Sequence, residues 1–423
     1  MAETPKIAVM GCKPTMPDSF PIDMRENAGN MIHGNAPFEM FPDVVFYQDP
    51  QFIDGRVSFR PYVRETCTHL IVTAANSLKL GSPDPTRYVR LLEFLKSYED
   101  VPVVIFGLGA QSRAQDLPSG ALPPEAIELM KYLGDHTEAI GVRGEYTAAV
   151  FEHYAGVTNT FVTGCPSFFS RPFAFDQLAQ ALADNRDGRA SYSGTNYSDE
   201  HEHQMLLRAI GEDLHLVESS NRFLARYVRD LQRGLKRPAI PTLLKPDVES
   251  GNLSRARVEE YFSSRFQLFR EARAWYKFNA DCVGFTYGTR FHTCMAGLLS
   301  GIPALWVTHD SRTEEFTRYL RLPAISKEEA ASLDPAGLRG KIDYSEMYRA
   351  LPELFGRFNE YLGIHRLPPV RLPDAAAQQP STTTLGLATA RRVENGPDGL
   401  PNRLRRLGTR VLRGAARIAG GQR

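Results

Sequence analysis

Short apolar runs recur along the first third of the chain, separated by stretches of helical periodicity. Ile7–Met10, Val44–Tyr47, His69–Ala74, Val101–Phe106, Ala139–Val142 and Phe161–Thr163 read as short buried strands. Between them, Tyr88–Tyr98 sets Leu91, Leu92, Phe94 and Leu95 at helical spacing, Pro124–Leu133 does the same, and Gly144–Tyr154 predicts a further helix ahead of Gly156. This alternation predicts a parallel α/β unit with right-handed crossovers.

A Phe-rich and then polar stretch, 167–199, follows Pro166, and its Asp184–Gly188 segment reads as a turn. We therefore place a boundary near residue 185. Beyond it the pattern predicts a helix over Glu202–Ile210, a strand over Leu214–Val217, a helix from Asn221, a Pro-interrupted connection over Arg237–Asp247 and one long helix over Arg255–Tyr276. Asp281–Pro303 then reads as strand, glycine turn, helix and strand. The expectation is an α/β fold of two similar halves, 1–185 and 186–369, facing a cleft, with a linker and tail over 370–423.

Length and composition agree with this plan. A chain of 423 residues exceeds one hydrophobic core, and 42% hydrophobic with 23% charged residues is globular composition. The net charge of +1 is uneven: residues 391–423 hold nine Arg against Glu394 and Asp398, which is +7 and leaves −6 on residues 1–390. A body of that charge is not a nucleic-acid binder. The 370–402 stretch is biased in composition and reads as a disordered linker. In 403–418, Leu404, Leu407, Val411, Leu412, Ala415 and Ile418 share one helical face and Arg403, Arg406, Arg410, Arg413 and Arg417 the other, a pattern suited to peripheral contact with an anionic membrane. No apolar run is long enough to span a bilayer, and five scattered cysteines show neither disulfide nor zinc spacing; the expectation is a cytoplasmic protein without a metal site.

The chemistry concentrates at strand ends. Arg290 and His292 fall at the start of the helix after the strand from Asp281, where unpaired backbone N–H groups and the macrodipole favour an anion, and Thr289 is placed to cap that helix. Carboxyl edges of open α/β sheets bind ligands, so phosphate or carboxylate is the expected partner. Gly107-Leu-Gly109-Ala-Gln111 follows another strand; its glycines allow close backbone approach, and Gln111 can turn an amide into the cleft. Arg143 ends a strand with Glu145 two residues on, so it can either clamp a carboxylate or pair locally. Asn27-Ala-Gly-Asn30 forms a possible amide nest, and His309-Asp310-Ser-Arg312-Thr-Glu-Glu315 a third charged cluster, in which Asp310 and Arg312 can also simply pair.

Taken together, Asn27–Asn30, Gly107–Gln111, Gly141-Val-Arg143-Gly-Glu145, Val162-Thr-Gly-Cys165-Pro-Ser167, Trp275, Arg290-Phe-His292, Gly301-Ile-Pro303 and Asp310–Glu315 resemble the polysaccharide pyruvyl transferase family over about residues 5–325. Asn30 stands where many members have Asp. The resemblance implies a glycosyltransferase-B-like architecture of two Rossmann-like domains and transfer of the pyruvyl group of phosphoenolpyruvate to two hydroxyls of one sugar as a cyclic ketal, with no further cofactor. Partners would be phosphoenolpyruvate and a sugar or lipid-linked oligosaccharide acceptor. His292 would be the acid, Arg290 and Arg143 would hold anions, and a base would come from Glu145, Asp310 or Glu315. Asn27, Asn30, Gly109, Gln111 and Arg312 would complete the substrate site. The alternatives are a sugar-nucleotide glycosyltransferase of the same fold and a non-catalytic glycan-binding protein.

Overall fold

The computed structural model describes residues 4–24, 26–112, 117–184, 186–235 and 237–372; the basic segment read as an amphipathic tail lies outside the described residues. Among the described residues, fourteen strands form two six-stranded sheets and one short ladder. The first sheet holds β1 (Ile7–Gly11), β2 (Val44–Phe46), β3 (His69–Thr73), β5 (Val103–Leu108), β7 (Ile140–Val142) and β8 (Thr160–Val162) in the order β2-β1-β3-β5-β7-β8. The second holds β9 (Arg189–Ser193), β10 (His215–Val217), β11 (Phe266–Gln267), β12 (Val283–Gly288), β13 (Ala304–Thr308) and β14 (Ala324–Ser326) in the order β11-β10-β9-β12-β13-β14. Every pairing in both is parallel, and so is the ladder of β4 (Leu78–Lys79) with β6 (Ala110–Gln111).

The apolar runs explain the first sheet. All five residues of β3 are buried, as a central strand covered on both faces requires. The sequence placed these strands and the helices Thr86–Lys96, Pro124–His136 and Glu145–Ala155 within a few residues.

Two expectations for the second unit are corrected. The long helix over Arg255–Tyr276 is two helices, Arg255–Ser264 and Ala272–Cys282, with β11 between them. Phe266, Leu268 and Phe269 are all buried, and β11 extends the sheet through Leu216 and Val217, a tertiary pairing that helical periodicity does not register. The Phe-rich and then polar stretch 167–199, in which only a turn is expected, contains the helix Phe173–Ala183 and β9, a strand flanked by β10 and β12. Its Ser191 and Ser193 are buried and small, which lets neighbouring backbone come close: a Cβ on Gly288 would lie 2.1 Å from the Ser193 carbonyl oxygen.

The last helix, Ser345–Ile364, joins the units. Just before it, the Tyr344 hydroxyl donates to the Ala304 carbonyl (2.9 Å) in the second sheet. At its far end the Tyr361 hydroxyl donates to the Ile105 carbonyl (2.6 Å) in the first, and His365 bonds the Ala139 carbonyl (3.0 Å). No helix among the described residues is long and apolar enough to cross a membrane.

Candidate active site

Each sheet reverses its direction of growth at one place, and the carboxyl ends of the two strands there form a crevice. In the second sheet this place lies between β9 and β12. Arg290 follows β12 and precedes the helix Phe291–Leu298, whose N-terminus carries no side-chain cap. Thr289 does not cap it, contrary to expectation: its hydroxyl accepts from the Thr195 amide (2.8 Å) and donates to the Thr195 hydroxyl (3.0 Å), tying the ends of β9 and β12 together. Arg290 Nε donates to the Gly194 carbonyl (2.9 Å) and Nη2 to Ser220 Oγ (2.8 Å), while the buried Glu218 carboxylate lies 3.9 Å from Nη2. Glu218 is itself held by the amides of Ser219, Ser220 and Asn221.

Arg143 comes from the first unit, at the end of β7, and is only 1% exposed. Its Nε donates to the Gly107 carbonyl (2.7 Å), its Nη1 donates to Asn76 Oδ1, and its guanidinium lies 4.8 Å from the Phe316 ring of the second unit. Its Nη2 is buried without a hydrogen-bond partner, as is Nε of Arg312. Buried guanidinium donors are normally satisfied, so two unpaired ones beside one cavity point to an anionic ligand.

That cavity has a volume of about 190 Å³ and draws walls from both units. Asn27, Asn30, Gln111, Arg143, Arg290, His292, Asp310 and Arg312, all expected at the site, line it. Three expected residues do not. Glu145 is exposed and lines a separate cavity with Glu315. Glu315 is 3% exposed and accepts from the Thr147 amide (3.0 Å) and hydroxyl (3.4 Å), so its carboxylate crosses between units to cap the helix Glu145–Ala155. Gly109 makes room for an arginine instead of meeting a ligand: a Cβ there would lie 2.6 Å from Arg143 Cδ. Among the carboxylates considered as base, this leaves Asp310 on the cavity wall, but it also caps the next helix through the Thr313 amide (2.8 Å) and pairs with Arg312 (3.2 Å).

Sequence reasoning missed Asn76, Thr195, Phe316 and His33. Asn76 follows Ala74-Ala75 directly after β3, a polar residue at a carboxyl edge, and that signal was readable. Thr195 was hidden with β9. His33 sits inside the helix Gly29–Met40 and is fully buried, where composition alone reads it as core.

The electrostatics are one-sided. Arg143, Arg290 and Arg312 face Asp310, and the histidines add little charge. Burial, then Arg143, pushes His33 down to about 3; burial, then Arg143, His33 and Arg312, holds His292 well below its usual value; burial lowers His309 as well. All three imidazoles are therefore neutral at pH 7 in the free protein. His292 Nε2 lies 3.4 Å from Cys165 Sγ, which is 3.8 Å from His33 Nδ1, while His33 Nε2 donates to the Phe106 carbonyl (3.2 Å). Burial raises the Cys165 thiol, so it is protonated at neutral pH. The three donor atoms lie within 4.8 Å of one another, close enough for a small cation. Burial and the Arg143 field, which together keep both imidazoles neutral, oppose a dication there.

Two parallel α/β units thus share a polar, cationic crevice built from both sheets. A family model described as polysaccharide pyruvyl transferase matches residues 31–311, more than half of the chain, and the chain belongs to that family. No curated protein matches it. Among solved structures, it is similar to a putative UDP-N-acetylglucosamine 2-epimerase of Listeria monocytogenes, with 13% identity, 89% of this chain and 94% of that one covered, and a TM-score of 0.37. It is also similar to HepE of Anabaena, solved with UDP and glucose, with 11% identity, 86% and 97% covered, and a TM-score of 0.40.

Proposed function

We propose that this protein transfers the pyruvyl group of phosphoenolpyruvate to two hydroxyls of one sugar unit, forming a cyclic ketal and releasing phosphate. The observation that carries the reading is the pair of buried, unpartnered guanidinium donors, one from each unit, at the wall of a small cationic cavity. Phosphoenolpyruvate carries a phosphate and a carboxylate on a short frame and can engage both units at once. A volume of about 190 Å³ lies below the roughly 300 Å³ at which pockets for drug-sized ligands begin, which disfavours a whole sugar nucleotide.

In the proposed reaction His292 gives a proton to the methylene carbon, and a sugar hydroxyl adds to the cationic centre that results. Phosphate then leaves with its bonding electrons and the second hydroxyl closes the ketal. Of the two hydroxyl protons, one replaces that given up by His292 and the other leaves with phosphate. Arg143, Arg290, Arg312 and the N-terminus of Phe291–Leu298 hold the anionic groups. His292 is neutral in the free protein, so it becomes an acid only when the anion is bound. A thermal-shift comparison tests the donor: phosphoenolpyruvate at 100 times its Kd should stabilise by about 2.7 kcal/mol and UDP-sugars should not. The reverse result supports the glycosyltransferase alternative. The Arg-rich C-terminal segment would hold the enzyme at an anionic membrane beside a lipid-linked acceptor.

A further inference from the structure

We propose that a second cavity, at the carboxyl edge of the first sheet, seats the acceptor and takes one neutral hexopyranoside unit. This rests on phosphoenolpyruvate occupying the first cavity. The second has a volume of about 330 Å³ and lies at the ends of β1 and β3, where the first sheet reverses its direction of growth. Asn30 and Asn76 line both cavities, so they stand between the two ligands.

Charge separates the ligands. The charged side chains lining the second cavity are Lys13 and Glu26, 3.3 Å apart and mutually neutralising, whereas the first cavity sets three guanidinium groups against one carboxylate. A trianion is drawn to the first and gains nothing from the second. The carboxamides of Asn30 and Asn76 can each donate and accept, which matches sugar hydroxyls, and the half-buried Tyr47 ring offers an apolar surface to sugar C–H groups.

Backbone geometry supports a working role for this edge. Ala75 has φ of 45°, a left-handed conformation that a non-glycine residue adopts at a cost of about 1 kcal/mol or more. It is held there by the Gly109 amide donating to its carbonyl (2.8 Å), while the Ser77 hydroxyl donates to the Ala74 carbonyl. The result is that Asn76 accepts from Arg143 through Oδ1 and keeps its amide hydrogens for a neighbour. A sugar in the second cavity meets the pyruvyl carbon past Asn30 and Asn76; each attacking oxygen forms one bond to that carbon, and the carbon–phosphate ester bond breaks.

The test uses the full chain, methyl hexopyranosides of the gluco, galacto and manno series as probes, and saturation-transfer NMR in the presence of phosphoenolpyruvate. Wild type should give hexoside signals. Leu91→Trp, which fills the cavity from the helix Thr86–Lys96, should reduce them about tenfold, and Glu26→Gln should weaken binding about threefold, with the phosphoenolpyruvate thermal shift unchanged in both. Hexoside signals absent from wild type, or undiminished in both variants while the thermal shift persists, would overturn the assignment. Absence of a phosphoenolpyruvate shift in wild type overturns the first-cavity reading instead, and this one with it.

Discussion

Binding of phosphoenolpyruvate should draw a proton into the protein, and the proton should go to His292. In the free protein its imidazole is buried, and Arg143, His33 and Arg312 all push it toward the neutral form. A unit charge 4 Å away at an effective dielectric of 20 is worth about 4 kcal/mol, or about 3 pKa units. Fully ionised phosphoenolpyruvate brings about −3, which exceeds the net positive charge of the cavity walls and so shifts His292 toward its protonated form. Calorimetry at pH 7 in buffers of different ionisation enthalpy reads this directly. The slope should indicate uptake of about one proton in wild type and about none in His292→Gln, and the difference between the two cancels any protonation change on the phosphate itself. Equal slopes would mean that His292 does not change protonation on binding, and with that its role as the acid fails.

Arg143→Lys should lower kcat/KM for phosphoenolpyruvate by about tenfold or more without loss of folding, because a single ammonium nitrogen cannot reproduce the planar fork that reaches Gly107, Asn76 and a ligand from three separate nitrogens; stopped assays of phosphate release give the answer. Gly109→Ala should act on the same step by displacing the buried Arg143 stem, raising the Kd for phosphoenolpyruvate at a stability cost of about 1–3 kcal/mol. Glu315→Ala should destabilise by about 2–3 kcal/mol in urea unfolding, since it strips a buried carboxylate from the Thr147 amide and hydroxyl. The protein should also be acid-labile. His33 and His215 are held at about 3 and about 4 by burial, so their contributions are complete above the unfolded pKa near 6.5 and are lost as pH falls below it, about 2 kcal/mol each by pH 5. Equal stability at pH 7 and pH 5 would contradict their burial as neutral imidazoles.

What the sequence by itself determined was the alternation of buried strands and helices, because apolar runs such as His69–Thr73 stay apolar whatever they pack against. It also determined which charged residues stand at strand ends: Arg143, Arg290, His292, Asp310 and Arg312 were legible because a carboxyl edge follows from local periodicity. It failed at β9 and β11. The first, Arg189-Ala-Ser-Tyr-Ser193, holds no continuous apolar run of the kind that marks the other central strands, and the second is a two-residue strand whose only signature is its partner β10, so neither carries that local signal. Tertiary structure alone decided which strand ends converge. It put Asn76 beside Arg143, across 67 positions of sequence, and turned Glu145 out of the crevice while spending Glu315 on a contact between units. It also decided the charge state of His292, since an imidazole titrates near neutrality in any isolated peptide, and only burial beside cations assembled from both sheets makes it a neutral group awaiting an anion.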